Sequence, residues 1–310
     1  LQTVFRSSSA MTTRPWSALP IRRWVHEVVE PPGQGLSTTA PQLNLRRSCF
    51  GDGYMAIATD RLDDIHWVAA GDGAALLFIH GAGGNAAAWF EQMDAFAGTH
   101  RAVAYDLAGF GRSAHPPPDA YAEHFSRNAV SVMNAAGIDR ATLVCQSLGG
   151  WSGVRLALEH PERVERLVLS CTMAGVAHAP ALQSFQASLA KMDERGPASI
   201  AISESFRAAN PAKAYLYEQL TAFNPALDPQ LVQRAFSPEV LIPPERLREV
   251  TCPVLILTGE LDPIWPPATL EGLTDLLPNT ELKVFPHCGH SPYFEQPDAF
   301  NQALRAFIAD

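Results

Sequence analysis

Val144-Cys145-Gln146-Ser147-Leu148-Gly149-Gly150 decides the reading of this chain. The stretch closes a β-branched apolar run at 141–145 and opens a helical one through Val154, Leu156 and Leu158. A serine on such a strand–turn–helix junction must adopt a strained backbone, which requires small residues two places before and two after it. Cys145 and Gly149 occupy those places. The usual pattern is G-x-S-x-G, so Cys145 is a departure that sets a thiol beside the serine. A strand that simply ends in a Ser-Leu-Gly-Gly turn would read the same way, and the neighbouring motifs must decide.

His80-Gly81-Ala82-Gly83-Gly84 follows the unbroken apolar run 74–79, one strand earlier. Glycines there let main-chain N–H groups approach a reacting carbonyl. The Ala82 and Leu148 amides are the expected oxyanion hole. A dinucleotide or phosphate loop would need G-x-G-x-x-G or G-x4-G-K-[ST], and neither is present here. A nucleophilic serine needs a base, and the base an orienting acid. His287-Cys288-Gly289-His290 follows the last predicted strand; His290 is the expected base, because Gly289 frees it on a loop, and His287 is given a structural role. A metal reading of the HxxH pair lacks an evident third ligand, so no metal is expected. Leu257-Thr258-Gly259-Glu260-Leu261-Asp262 leaves the end of another strand, 28 residues before His290. Asp262 is the expected acid and Glu260 its rival. The segment 171–174 carries no carboxylate.

Further apolar runs at 102–105, 164–170, 253–258 and 281–285 alternate with helical stretches near 87–97, 121–136, 149–159, 268–277 and 297–309. Residues 54–59 and 65–70 are expected as hairpin partners across a turn at 60–64. Strands buried on both faces and separated by helices imply an α/β fold: a mostly parallel eight-stranded sheet with helices on both faces. Residues 173–247 break the rhythm with short helices punctuated by Pro180, Pro197, Pro211, Pro225, Pro229 and Pro238. They read as a helical cap inserted after the sixth strand, between core segments 46–172 and 248–310.

The 310 residues, 47% hydrophobic and 18% charged, are those of an ordinary globular protein. No apolar run reaches the roughly 18 residues that span a bilayer, so no stable membrane insertion is expected. A net charge of −9 argues against nucleic acid as a partner. Cys49, Cys145, Cys171, Cys252 and Cys288 are scattered, without a CxxC pair, which fits a reducing compartment and a cytoplasmic location. Residues 1–26 hold four arginines and no acid before Glu27, a transit-peptide bias without amphipathic period. Residues 31–44 have linker composition. Residues 1–45 are therefore expected to be an extension, disordered, added in cloning or used for organelle targeting.

The chain at this point resembles an α/β-hydrolase fold serine hydrolase over about residues 50–310. Asp106-Leu107-Ala108-Gly109-Phe110-Gly111-Arg112-Ser113 is similar to that family's D-x-x-G-x-G-x-S turn, and His160-Pro161-Glu162-Arg163-Val164 with Leu167–Leu169 to its H-P-x-R-V-x-x-L-V-L stretch. Gly289-His290 with Glu295-Gln296-Pro297 is similar to its G-H-x-x-x-x-E-x-P ending. The chain order Ser147, Asp262, His290 is that of the family. The resemblance implies acyl transfer to water without any cofactor, through Ser147 as nucleophile, His290 as base and Asp262 as its orienting acid. A serine at the elbow excludes the relatives that use an aspartate there, the haloalkane dehalogenases and epoxide hydrolases. The elbow and the Glu-Gln-Pro ending resemble enol-lactone hydrolases, implying a small ester or lactone as substrate. C–C bond hydrolases of aromatic catabolism, acting on vinylogous diketones, usually have Asn before the serine and Trp after the histidine, where this chain has Gln146 and Ser291. They remain the alternative, with a slow-turnover ligand receptor of the same fold beside them.

Gly81, Gly83, Gln146, Trp89 and Phe110 are the expected substrate contacts. Cap aromatics Phe185, Phe206, Tyr215, Tyr217, Phe223 and Phe236 could line an acyl pocket, although any single one is a better candidate for packing. Tyr215 and Tyr217 cannot share one helix face. Arg195 and Arg207 are the cap's candidates for an acidic substrate group, and a monomer or homodimer is expected.

Overall fold

The computed structural model describes residues 58–62, 64–116, 121–226 and 228–309. The expected N-terminal extension at 1–45, with its targeting-like segment, lies outside them. Eight strands follow in chain order: β1 (Ala58–Leu62), β2 (Ile65–Ala70), β3 (Ala75–Ile79), β4 (Arg101–Tyr105), β5 (Ala141–Gln146), β6 (Val164–Ser170), β7 (Val254–Gly259) and β8 (Thr280–Phe285). Between them run α1 (Phe90–Phe96), α2 (His124–Ala135), α3 (Gly149–Glu159), α4 (Ala179–Leu189), α5 (Ala198–Ala201), α6 (Glu204–Ala209), α7 (Pro211–Ala222), α8 (Pro229–Ala235) and α9 (Pro267–Thr274), with α10 (Pro292–Glu295) and α11 (Pro297–Ala309) closing the chain.

The sheet order is β1-β2-β4-β3-β5-β6-β7-β8. The β1–β2 and β2–β4 pairs are antiparallel and the rest parallel. Every residue of β3, β5 and β7 is buried, the pattern of strands covered on both faces. Leu77, Val103 and Leu143 join one apolar cluster with α2, α3 and α9, whereas Leu76, Phe78 and Ala104 join another with α1 and α11. The alternation follows the two-residue period of a strand.

The first strand differs from the sequence expectation. Residues 54–57 of the expected strand lie outside the described residues; within them β1 continues to Leu62, which pairs with Ile65, where a turn over 60–64 is expected. Thr59, Asp60 and Arg61 are polar, and an apolar pattern does not mark a strand built from them.

The register places the chemistry. Ile79 pairs with Cys145, Gln146 with Ser170, and Ser170 with Leu257. The loops that begin at His80, Ser147, Cys171 and Glu260 therefore leave the same edge of the sheet. Helices α4–α8 lie between β6 and β7 and are anchored to that edge. Ser184 Oγ donates to the Ile264 carbonyl (2.7 Å), Trp265 Nε1 to Ala181 (3.1 Å) and Trp151 Nε1 to Ala235 (2.8 Å). Among the described residues, no helix is long and apolar enough to cross a membrane.

Candidate active site

Ser147 stands between β5 and α3 with φ +50°, a left-handed conformation that is costly for any residue bearing a Cβ. Two contacts hold it there. Its N–H donates to the Ser170 carbonyl (2.9 Å), and its own carbonyl accepts from Thr172 Oγ1 (2.6 Å). A Cβ on Gly149 would overlap the Ile79 carbonyl oxygen, and one on Gly150 the Thr172 hydroxyl. Both glycines thus allow α3 to begin against the ends of β3 and β6. Cys145, where the usual pattern has glycine, is wholly buried, and its sulfur fills the space that a Cβ on Gly153 would take. Burial in that apolar site pushes its thiol pKa far up, leaving it a protonated packing group.

Asp262 follows β7 and is 2% exposed. One of its oxygens accepts from the Ile264 and Trp265 amides (2.8 and 3.1 Å), and the other meets His290 Nδ1 at 2.8 Å. Burial works to raise its pKa, but His290 and the two amides outweigh it and hold the carboxyl below its usual range. An ionised carboxylate only accepts, so Nδ1 is the protonated ring nitrogen and Nε2 is left as an acceptor. Glu260, the rival acid, is exposed and accepts from the His287 amide (2.8 Å), so this pair sits apart from the Asp262–His290 pair.

Ser147 and His290 line one cavity of about 650 Å³, together with Ala82 and Leu148. Gly81 makes the loop's approach possible, because a Cβ there would overlap the Gln146 amide oxygen and lie 2.6 Å from Ser147 Cβ. His80 braces the loop from beneath: its Nε2 accepts from the Leu107 amide (2.8 Å) and its Nδ1 donates to the Gly81 carbonyl (2.8 Å). Burial lowers the His80 pKa, which keeps this bridge neutral. Asp106 accepts from the Ala86 and Arg112 amides, and its carbonyl from Ser113 Oγ. The D-x-x-G-x-G-x-S turn thus shapes the floor of the site.

The expected substrate contacts divide. Phe110 lines the cavity. Trp89 does not: it is buried between Phe78, Tyr293 and Phe300, because its short helix turns that face into the core. Gly81, Gly83 and Gln146 stand behind the cavity wall. The Gln146 amide donates to the His290 carbonyl (3.2 Å), and the Gly83 carbonyl accepts from Asn224. Phe185 and Phe236 stack at 4.1 Å on the cavity wall. Phe206 packs on Phe294, Tyr217 is buried with its hydroxyl at Ser291, and Tyr215 and Phe223 are exposed. Arg195 is paired with Asp193 and Glu218, and Arg207 with Glu218 and Glu204. Neither arginine lines the cavity. Sequence reasoning missed Trp151, Leu182, Met192, Ile200, Leu231 and Ile264 as lining residues. Only Trp151 carried a signal, one helical turn after Ser147.

The model of the alpha/beta hydrolase family matches residues 76–303. The chain belongs to this family. Within the alpha/beta hydrolases it is similar to proteins named for different bonds. A protein of Caulobacter sp. (strain K31), provisionally named carbamate hydrolase RutD, is 30% identical over 79% of this chain and 94% of its own length. A 2-hydroxymuconate semialdehyde hydrolase of Pseudomonas sp. (strain CF600) is 31% identical over 78% of this chain and 89% of its own. The solved structure of Est816, described as an N-acyl homoserine lactone degrading enzyme, superposes with a TM-score of 0.66 at 27% identity. That match covers 80% of this chain and 99% of that one.

Proposed function

We propose that this alpha/beta hydrolase cleaves small carboxylic esters or lactones by way of an acyl-enzyme on Ser147. The observation that carries the reading is the buried Asp262–His290 pair at 2.8 Å, whose histidine lines the same cavity as a serine held at positive φ. His290 Nε2 takes the Ser147 proton as the hydroxyl attacks the carbonyl, and Asp262 stabilises the imidazolium. The Ala82 and Leu148 amides receive the oxyanion. His290 then returns the proton to the leaving alcohol and activates the water that releases the acid. Segments 46–172 and 248–310 act as the core, and 173–247 as a cap that supplies much of the acyl pocket.

The cavity's lining favours uncharged substrates. Among the described residues that line it there is no Lys, Arg, Asp or Glu. Tyr121 and both indoles spend their donors on the carbonyls of Leu231, Ala235 and Ala181. A buried carboxylate would find no cation there, at a cost of several kcal/mol. A neutral ester with an apolar acyl chain suits such a wall. The 31% likeness to a semialdehyde hydrolase supports C–C bond hydrolysis as the second reading. Turnover of p-nitrophenyl esters from acetate to octanoate, by wild type and Ser147→Ala side by side, tests the proposal. Ser147-dependent hydrolysis with a chain-length optimum is expected. A folded wild type that cleaves vinylogous diketones and no ester would replace it with the second reading.

A further inference from the structure

Cys171 is the first residue after β6 and holds φ +47°, a sparsely populated conformation for a side chain of its size. Its amide donates to the Leu257 carbonyl (2.7 Å), which fixes it against the end of β7. The thiol is wholly buried, with its sulfur within 4.8 Å of an Asp262 carboxyl oxygen. One ligating atom each of Cys171, Asp262 and His290 lies within 4.8 Å of the other two. Among the described residues, no other three groups of this kind converge as closely.

A sulfur, a ring nitrogen and a carboxylate oxygen thus converge in one buried place, with His290 Nδ1 2.8 Å from the carboxylate. We infer that Cys171, Asp262 and His290 form a site for a thiophilic divalent cation, zinc or cadmium, and that the ion blocks the hydrolytic machinery. A thiolate, an imidazole nitrogen and a carboxylate are a favourable donor set for zinc. Tetrahedral ligands at about 2.0–2.3 Å from zinc stand roughly 3.3–3.7 Å apart, so the N···O edge opens and the sulfur closes in, each by well under 1.5 Å. His290 borders the cavity, which gives the ion its way in and a water as fourth ligand.

The balance is simple. The thiol loses its proton to solvent, and the Nδ1 proton moves to Nε2 as the imidazole tautomerises. The buried cluster passes from one negative charge to none. His290 then presents Nε2–H to Ser147 and has no lone pair to take the serine proton. This blocking step rests on the proposed role of His290; the binding itself does not.

Cadmium alone, added to the metal-free full chain, gives an ultraviolet sulfur-to-cadmium charge-transfer band, which needs no turnover. A band that saturates at one ion per chain is expected. Cys171→Ser and His290→Ala should each lose it, and Cys288→Ser should keep it. With a p-nitrophenyl ester, zinc should inhibit wild type reversibly, with recovery on chelation. Cys171→Ser, compared with its own metal-free rate, should need at least tenfold more zinc. Absence of the band in wild type overturns the site, and so does its persistence in Cys171→Ser. If Cys171→Ser does not fold, the His290→Ala result decides. A saturating band without any hydrolytic activity would leave the site standing and remove the proposed function instead.

Discussion

Gly153 faces Cys145 across the α3–β5 contact, in space that no side chain could share with the Cys145 sulfur. The two positions fit each other: a thiol where the elbow usually has glycine, and a glycine one helical turn beyond Gly149. The Cys145 Cβ itself would lie 3.4 Å from a Cβ at 153, an acceptable separation. Gly153→Ala should therefore destabilise the protein by about 1–3 kcal/mol through overpacking. Cys145→Ala in the same chain should restore at least half of that loss, because the two sites share one volume. Urea denaturation of both singles and the double variant measures the coupling.

The two candidate acids part company in their surroundings. Asp262→Asn should lower kcat about 10⁴-fold, since an amide facing Nδ1 no longer holds the imidazole in its working tautomer. Glu260→Gln, on an exposed carboxylate that faces His287, should stay within about threefold of wild type. Steady-state kinetics on one ester with both variants separates them. Near-normal activity in Asp262→Asn would transfer the role to Glu260.

His124 carries a pH-dependent stability of its own. It is buried on α2 beside Tyr121, and burial lowers its pKa to about 4. The unfolded chain binds a proton at pH values up to about 6.5, where the folded one does not. The stability is thus complete above about 6.5 and is lost as pH falls towards 4, by roughly 3 kcal/mol. Thermal melts across this window should show the fall in wild type and a shallower one in His124→Phe.

Acyl-chain preference should follow the insertion's side chains. Leu182 is half-buried on α4 and borders the cavity. Leu182→Trp would fill part of it, so kcat/KM for octanoate should fall at least about tenfold relative to acetate. Each methylene left in water forfeits about 0.8 kcal/mol. Unchanged selectivity along the ester series would place the acyl chain elsewhere.

Much of this molecule was legible in its sequence because buried parallel strands are written as unbroken apolar runs. The runs at 74–79, 141–145 and 164–170 appear as β3, β5 and β6 within a residue. Glycine-rich loops were legible for a similar reason: Gly81 and Gly149 mark places where the backbone must pass too close to its neighbours, the Gln146 and Ser147 side chains and the Ile79 carbonyl, for a Cβ to fit. The end of β1 was set too early because an edge strand can run on through Asp60 and Arg61, whose alternation carries no apolar signal. Trp89 was misassigned because a large aromatic beside a loop gives no sign of which way its short helix turns. The cavity wall of α4–α8 was mostly illegible, since short helices between prolines have too few turns to show a face. The neighbours of Cys171 come from β7 and the loop after β8, and no local pattern joins residues so far apart in the chain.

The central claim is that Ser147 is the nucleophile, activated by His290. A fluorophosphonate, followed by peptide mass spectrometry, tests it most directly. One adduct on the peptide containing Ser147 is expected, absent in Ser147→Ala and formed far more slowly in His290→Ala. An adduct on another serine, or none on the folded wild type, would contradict the account.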